Sequence, residues 1–297
     1  MKETVKYQNN LNNLKFKNFS KSDLDIFMTL CSKTKDKDTQ KIILDFDEIK
    51  TLTKYNKKKK SNAQFIKDLR QMNERLMQVN CEFATDTEIV MFVLFPVFKI
   101  DTVKSTLTVS VNEEYAWLLN EVKNYTTFEL EEFVDLNSKY SKHLYAILKQ
   151  WRTTGQYIVY DLDIFRELLD VPKEYSNKRM IEKCISVAVE ELSRLEKSFE
   201  NFSCEPIYAK KRGKPLENLK FSWKAENVSK ASDANNTETN IGVEANKEQP
   251  SAIALKIARD IEKGNKKKNE KKKENKFNSF PQRKYDYNKL EDMLMNK

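Results

Sequence analysis

The chain repeats itself at an offset of 116 residues, and that spacing constrains its fold more than any other feature. Asp45-Phe46-Asp47-Glu48-Ile49-Lys50-Thr51-Leu52 aligns with Asp161-Leu162-Asp163-Ile164-Phe165-Arg166-Glu167-Leu168, sharing Asp-[Phe/Leu]-Asp-x-[Ile/Phe]-[Lys/Arg]-x-Leu. The same offset carries the apolar stripe Phe65, Leu69, Met72, Leu76 onto Ile181, Ile185, Ala188, Leu192, spaced as the inward face of a helix. Two copies at a domain-sized period imply a duplicated domain, since solenoid repeats run to roughly 20–50 residues. With 297 residues there is room for two modules, each of roughly 100 residues and able to bury its own core.

Periodicity gives each copy the same order of elements. In the first, residues 22–30 read as a helix and 41–46 as a short strand. Asp45, three residues ahead of Glu48, marks the start of a second helix through Leu52, and residues 61–79 form a longer third one. Residues 88–101 and the alternating 106–111 are joined by a polar turn as a hairpin, and a helix over 113–122 closes the module. The second copy predicts helices over 138–151, 161–169 and 176–197, a strand over 156–160, and hairpin strands at 202–209 and 219–223.

Three helices followed by a strand-paired hairpin describe a winged helix, in which the last helix enters a major groove and the hairpin lies beside the backbone. The expected class is therefore α+β, with tandem winged-helix domains over 1–125 and 126–225. From 226 to 297 apolar periodicity gives way to Asn, Thr, Ser, Glu and Lys, the composition of a disordered tail. Its stretch 263–276 holds eight lysines against two glutamates.

A net charge of +9, with 33% charged residues, favours polyanionic partners. No apolar run reaches the roughly 20 residues of a spanning helix, and residues 1–20 lack a signal-peptide core, so a cytoplasmic protein without a membrane partner is expected. The four cysteines form no CxxC pair and read as reduced, buried thiols. The single histidine, His143, cannot build a multi-histidine metal centre or the paired-histidine site of a nickase, and no GxxxxGK[ST] phosphate loop is present. No enzyme, metal or cofactor is expected.

DNA binding is signalled by position. On the second module's third helix, Ile181, Cys184, Ile185, Ala188 and Leu192 form one face. That leaves Ser176, Asn177, Lys178, Arg179, Glu182, Lys183 and Ser186 outward near the amino end. Lys and Arg reach guanine O6/N7 or phosphates, a glutamate accepts from cytosine N4, and a helix amino terminus favours a phosphate. The turn Lys210-Lys211-Arg212-Gly213-Lys214 puts four cations on the wing. In the first module Lys57, Lys58, Lys59 and Lys60 precede a helix presenting Asn62, Gln64, Lys67 and Arg70; a lysine run reads phosphate and not sequence. A solvated basic face is the bland alternative at each place. One run, 89–98, lacks in-out alternation, so both of its faces should be covered, either within the chain or by a second copy in a dimer.

The segment Ser138-Lys139-Tyr140-Ser141-Lys142-His143-Leu144-Tyr145-Ala146-Ile147-Leu148-Lys149, led by Phe128-Glu129-Leu130, resembles the start of the second winged helix of iteron-binding plasmid replication initiators. The resemblance extends over about 1–225, including Leu94-Phe95 leading into 106–111. It implies monomers that bind tandem origin repeats in double-stranded DNA, help open A·T-rich DNA, and recruit the host initiator and helicase. It also implies dimers that repress their own promoter. The ending 277–291 resembles a short terminal peptide of Gram-positive and phage replication proteins, with Leu290, Met293 and Leu294 forming a small face for a replication partner. A repressor of the same architecture, a nicking enzyme and a protein adaptor are the competing readings.

Overall fold

The computed structural model describes residues 3–55, 61–79, 81–84, 89–120 and 124–226. The lysine run 57–60 and the tail from 227 onward, with its lysine stretch and terminal peptide, lie outside the described residues. In chain order, β1 (Thr4–Gln8) leads through a 3-10 turn to α1 (Lys21–Thr34), β2 (Ile42–Asp45), α2 (Phe46–Leu52), α3 (Asn62–Leu76), β3 (Cys81–Ala84), β4 (Ile89–Phe92), β5 (Val97–Asp101) and β6 (Thr106–Ser110). Then come β7 (Tyr125–Glu129), α4 (Leu130–Asp135), α5 (Lys139–Gln150), β8 (Gln156–Val159), α6 (Leu162–Leu168), α7 (Asn177–Met180), a π-turn (Ile181–Ile185), α8 (Ser186–Leu192), β9 (Ser203–Tyr208) and β10 (Leu216–Ser222).

The duplication is visible in the topology. Sheets β2-β6-β5 and β8-β10-β9 have the same order, with the lone strand of each module paired to the last strand of its hairpin. Leu44 faces Leu107 in one register and Val159 faces Leu219 in the other, and all four side chains are buried. These pairs seat each sheet on its helices. Each module is thus a winged helix, as the sequence predicts. The repeated octapeptides become α2 and α6, offset by 116 at both ends. They begin differently. Asp161 caps α6 by accepting from the amides of Asp163 and Ile164 at 3.0 and 2.9 Å, whereas Asp45 holds the same position without a side-chain cap.

The modules share a core where α1 meets α5, the same helix of each copy. A capping box opens α1: Ser20 Oγ accepts from the Asp23 amide, and the Asp23 carboxylate accepts from the Ser20 amide at 2.7 Å. Phe16 packs against Phe27 and against His143 of α5, with ring centroids 4.9 and 6.0 Å apart. Deeper in, Lys142 of α5 meets Asp25 of α1 at 2.5 Å, both almost fully buried. A second tie is β1, which pairs antiparallel with β7 across the expected 125/126 border, from Thr4 opposite Glu129 to Gln8 opposite Tyr125.

Three segments depart from the sequence reading. The run 89–98 is not one strand: β4 pairs with β3, the chain then bends, and β5 begins at Val97. Leu94 and Phe95 turn into the module's own core, Phe95 against the Phe27 ring, which accounts for the missing alternation there. The predicted helix over 113–122 is a single 3-10 turn, Ala116–Leu118, with 121–123 outside the described residues. Here side chains compete for backbone partners: Asn112 Oδ1 accepts from the Glu114 amide and Asn120 Nδ2 donates to the Ala116 carbonyl. The helix predicted over 176–197 ends at Leu192 and is interrupted by the π-turn.

Candidate nucleic-acid interface

The third helix of each module starts at a serine cap. Ser61 Oγ accepts from the Gln64 amide at 3.2 Å, and Ser176 Oγ from the Arg179 amide at 3.3 Å. In the second module, Ser176, Asn177, Lys178, Arg179, Glu182, Lys183 and Ser186 are all exposed, and Met180, Cys184, Ile185, Ala188 and Leu192 are buried beneath them. Several outward groups already have partners. Arg166 of α6 donates to Asn177 Oδ1 at 3.2 Å and also to the Tyr175 carbonyl, fixing the entry to the helix. The Arg179 guanidinium lies 4.4 Å above the Tyr175 ring, and Lys178 stands 3.9 Å from Glu182. The Ser186 hydroxyl donates back to the Ile181 carbonyl at 2.9 Å. The Lys183 side chain makes no hydrogen bond or ion pair among the described residues.

The helix is anchored from behind. Glu191 accepts from the amides of Asn137 and Ser138 at 2.9 and 3.2 Å, so the far end of the third helix caps the start of α5. Burial pushes the Cys184 thiol upward, and its contact with the Tyr140 hydroxyl ties the middle of the helix to α5. A face held this way presents its charges without moving its backbone.

On the wing, Lys210, Lys211, Arg212 and Lys214 are exposed around a turn closed by the Ala209 amide on the Pro215 carbonyl at 2.9 Å. Gly213 takes φ +83°, which the turn requires and a side chain would resist. In the first module, Lys67 and Arg70 are exposed on α3. Asn62 is exposed too, but its Oδ1 accepts from the buried Lys50 at 2.5 Å, and Gln64 is tied to Asp68 at 2.6 Å. Lys57, Lys58, Lys59 and Lys60 fall outside the described residues.

Sequence reasoning found the first module's hairpin but assigned none of its turn residues to DNA. Asp101 accepts from the amides of Val103 and Lys104 at 3.1 and 2.8 Å, and this Asx turn holds both side chains outward beside Lys99. The available signal was the hairpin turn itself, whose place matches the basic turn of the second module. Exposed Tyr208, at the base of the second wing, also went unnoticed because one tyrosine at a strand end carries no pattern. Among the described residues no cluster of His, Cys, Asp and Glu is arranged for a metal ion, and no helix is long and apolar enough to cross a membrane.

A probable replication protein of Bifidobacterium longum is 39% identical over 176 residues, which is 59% of this chain and 59% of that protein's length. The crystal structure of a Pi initiator protein in complex with iteron DNA shares the fold at a TM-score of 0.56 and 14% identity, over 76% of this chain and 99% of that one. Residues 4–149 match the family model for the initiator replication protein's first winged helix, and 161–223 the model for its second. Matched along both modules in the order the internal repeat dictates, the chain belongs to the initiator replication protein family.

Proposed function

We propose that this chain initiates replication of a plasmid by binding tandem repeats in the double-stranded DNA of its origin through both winged helices. The observation that carries the reading is the repeated design of the third helices. Each starts at a serine cap, is buried on one face, and presents cations on the other: Lys67 and Arg70 in the first module, Lys178, Arg179 and Lys183 in the second. The second helix supplies most base readout, through Ser176, Asn177, Lys178, Arg179, Glu182, Lys183 and Ser186. The first module's lysine turn 57–60 with Asn62, Lys67 and Arg70, and the wing cations Lys210, Lys211, Arg212 and Lys214, hold phosphates.

Family membership supports a wider role in the cytoplasm. The bound protein promotes opening of adjacent DNA and recruits the host initiator and helicase, and its terminal peptide, 277–291, docks on a replication partner. A dimer formed through the first module represses the chain's own promoter. Two modules on successive major grooves give a footprint of about 20 bp per repeat. The test is a footprint of the full chain on the DNA flanking its own gene at two salt concentrations. Periodic protection over tandem repeats is the expected result. Protection of one inverted repeat alone would make the protein a repressor, and no protection at either salt would leave a protein adaptor.

A further inference from the structure

The π-turn in the second module's third helix changes which residues stand in line on its outer face. In α3, which is regular, the buried residues are Phe65, Leu69, Met72 and Leu76, a 4-3-4 spacing that one side of an α-helix satisfies. Lys67 and Arg70, three apart, share the outer side. An uninterrupted helix in the second module would repeat this at the 116-residue offset, with Ile181, Ile185, Ala188 and Leu192 inward and Lys183 and Ser186 outward.

The structure does otherwise. The Ser186 amide bonds to the Ile181 carbonyl five residues back, and the Ser186 hydroxyl bonds to the same oxygen. Met180 is fully buried while Ile181 is only partly so, and Met180, Cys184, Ala188 and Leu192 make a buried row at a constant spacing of four, with Ile185 buried beside it. Steps of four in a regular helix drift by about 40° each, roughly 120° over three steps. A π-turn takes in one extra residue, about 100° of rotation, and cancels most of that drift. The same cancellation acts on the row one residue earlier, about 100° round the helix from the buried one. It brings Arg179, Lys183 and Val187 into one straight row and removes Ser186 from it.

Val187 is the exposed large apolar residue of this helix, 37% accessible, among cations and hydroxyls. A scattered surface valine is ordinary. This one closes a row whose other two members are exposed cations, and the hydroxyl of its neighbour Ser186 donates a hydrogen bond to the Ile181 carbonyl. We propose that Val187 is a specificity-determining residue that packs on the C5-methyl of a thymine in the bound repeat, in a row in which Arg179 and Lys183 take guanine edges or phosphate. The proposal rests on the origin-binding reading. Apolar contact with the thymine methyl is the one major-groove feature a valine can read. Eight residues at about 1.5 Å each set Val187 about 12 Å from Arg179, three to four base steps along the groove.

The experiment measures binding of the full chain to a duplex of its origin repeat in which each thymine in turn is replaced by deoxyuridine, which removes only the methyl group. One position should lower wild-type affinity about fourfold, the value of a buried methyl group. The V187A protein should bind the unmodified repeat correspondingly less tightly and be indifferent to deoxyuridine at that position. V187A as sensitive as the wild type at every thymine, or a wild type indifferent to all of them, would overturn the assignment and leave origin binding standing. Failure of the wild type to prefer the repeat over unrelated duplex would instead overturn the origin-binding reading, and this one with it.

Discussion

Lys142 and Asp25 form an ion pair almost wholly withdrawn from water, and Lys142 also donates to the carbonyls of Phe133 and Val134 at 2.5 and 3.3 Å. Burial lowers the Lys142 ammonium to a pKa of about 8 despite the attraction of Asp25. A pair of this kind contributes little beyond what apolar residues of the same size would, but losing one member strands the other. Lys142→Met should therefore cost about 3 kcal/mol in urea unfolding, and the double change Lys142→Met with Asp25→Leu should recover most of it. His143 beside it is neutral for a related reason. Burial, with Lys139 adding to the effect and Asp170 opposing it, lowers its pKa from 6.5 to about 4. The unfolded chain takes up a proton near 6.5 and the folded one near 4, so stability falls as pH drops through that window, by about 3 kcal/mol at its foot. His143→Phe should remove this part of the pH dependence, measured as the urea midpoint at pH 7 and 4.5. The buried lysine next to His143 was not foreseen, because nothing in the spacing of one helix reveals a carboxylate arriving from another.

At the scale of elements, the serine caps are the simplest parts to test. Ser61→Ala and Ser176→Ala each leave an amide of the first turn without its acceptor and should cost about 1 kcal/mol of stability. The second wing makes a different prediction. Replacing Lys210, Lys211, Arg212 and Lys214 with alanine should weaken binding to all DNA sequences alike and flatten the salt dependence by up to about 0.9 per cation lost. Arg179→Ala should also change which base is preferred at one position. The second and third helices of both modules were legible because their periodicity is local and each is stated twice, at 116 residues. What was not legible depends on distant partners. Strand β1 has its mate more than a hundred residues away in β7. The bend after β4 exists because Leu94 and Phe95 are drawn into the core against residues such as Phe27. The π-turn follows from burial of Met180, which the stripe at 181, 185, 188 and 192 concealed by offering an equally good regular helix.

For the whole molecule, the duplication suggests two independent domains, but the packing joins them. Strand β1 belongs by sequence to the first copy and completes a sheet with β7, at the start of the second. Around it, Asn12 donates to Thr126 at 2.9 Å and to Gln150 at 3.1 Å, and Thr126 donates to Asn9 at 2.8 Å. Lys6 and Arg152 lie 4.3 and 5.7 Å from the Tyr125 ring. Separating the chain at 125 would expose the aromatic face shared by α1 and α5, open both edges of the β1–β7 pair, and leave Lys142 and Asp25 each without the other. Fragments 1–125 and 126–226 should therefore be much less stable alone than residues 1–226 together, which should unfold in one transition with coincident signals from Trp117 in the first copy and Trp151 and Trp223 in the second. Two well-separated transitions in the intact protein, each matching that of its fragment, would show that the modules are independent. A single transition would mean that the two DNA-reading helices are held in one frame, so that the spacing of the repeats they recognise is set by the shared core and not by a linker.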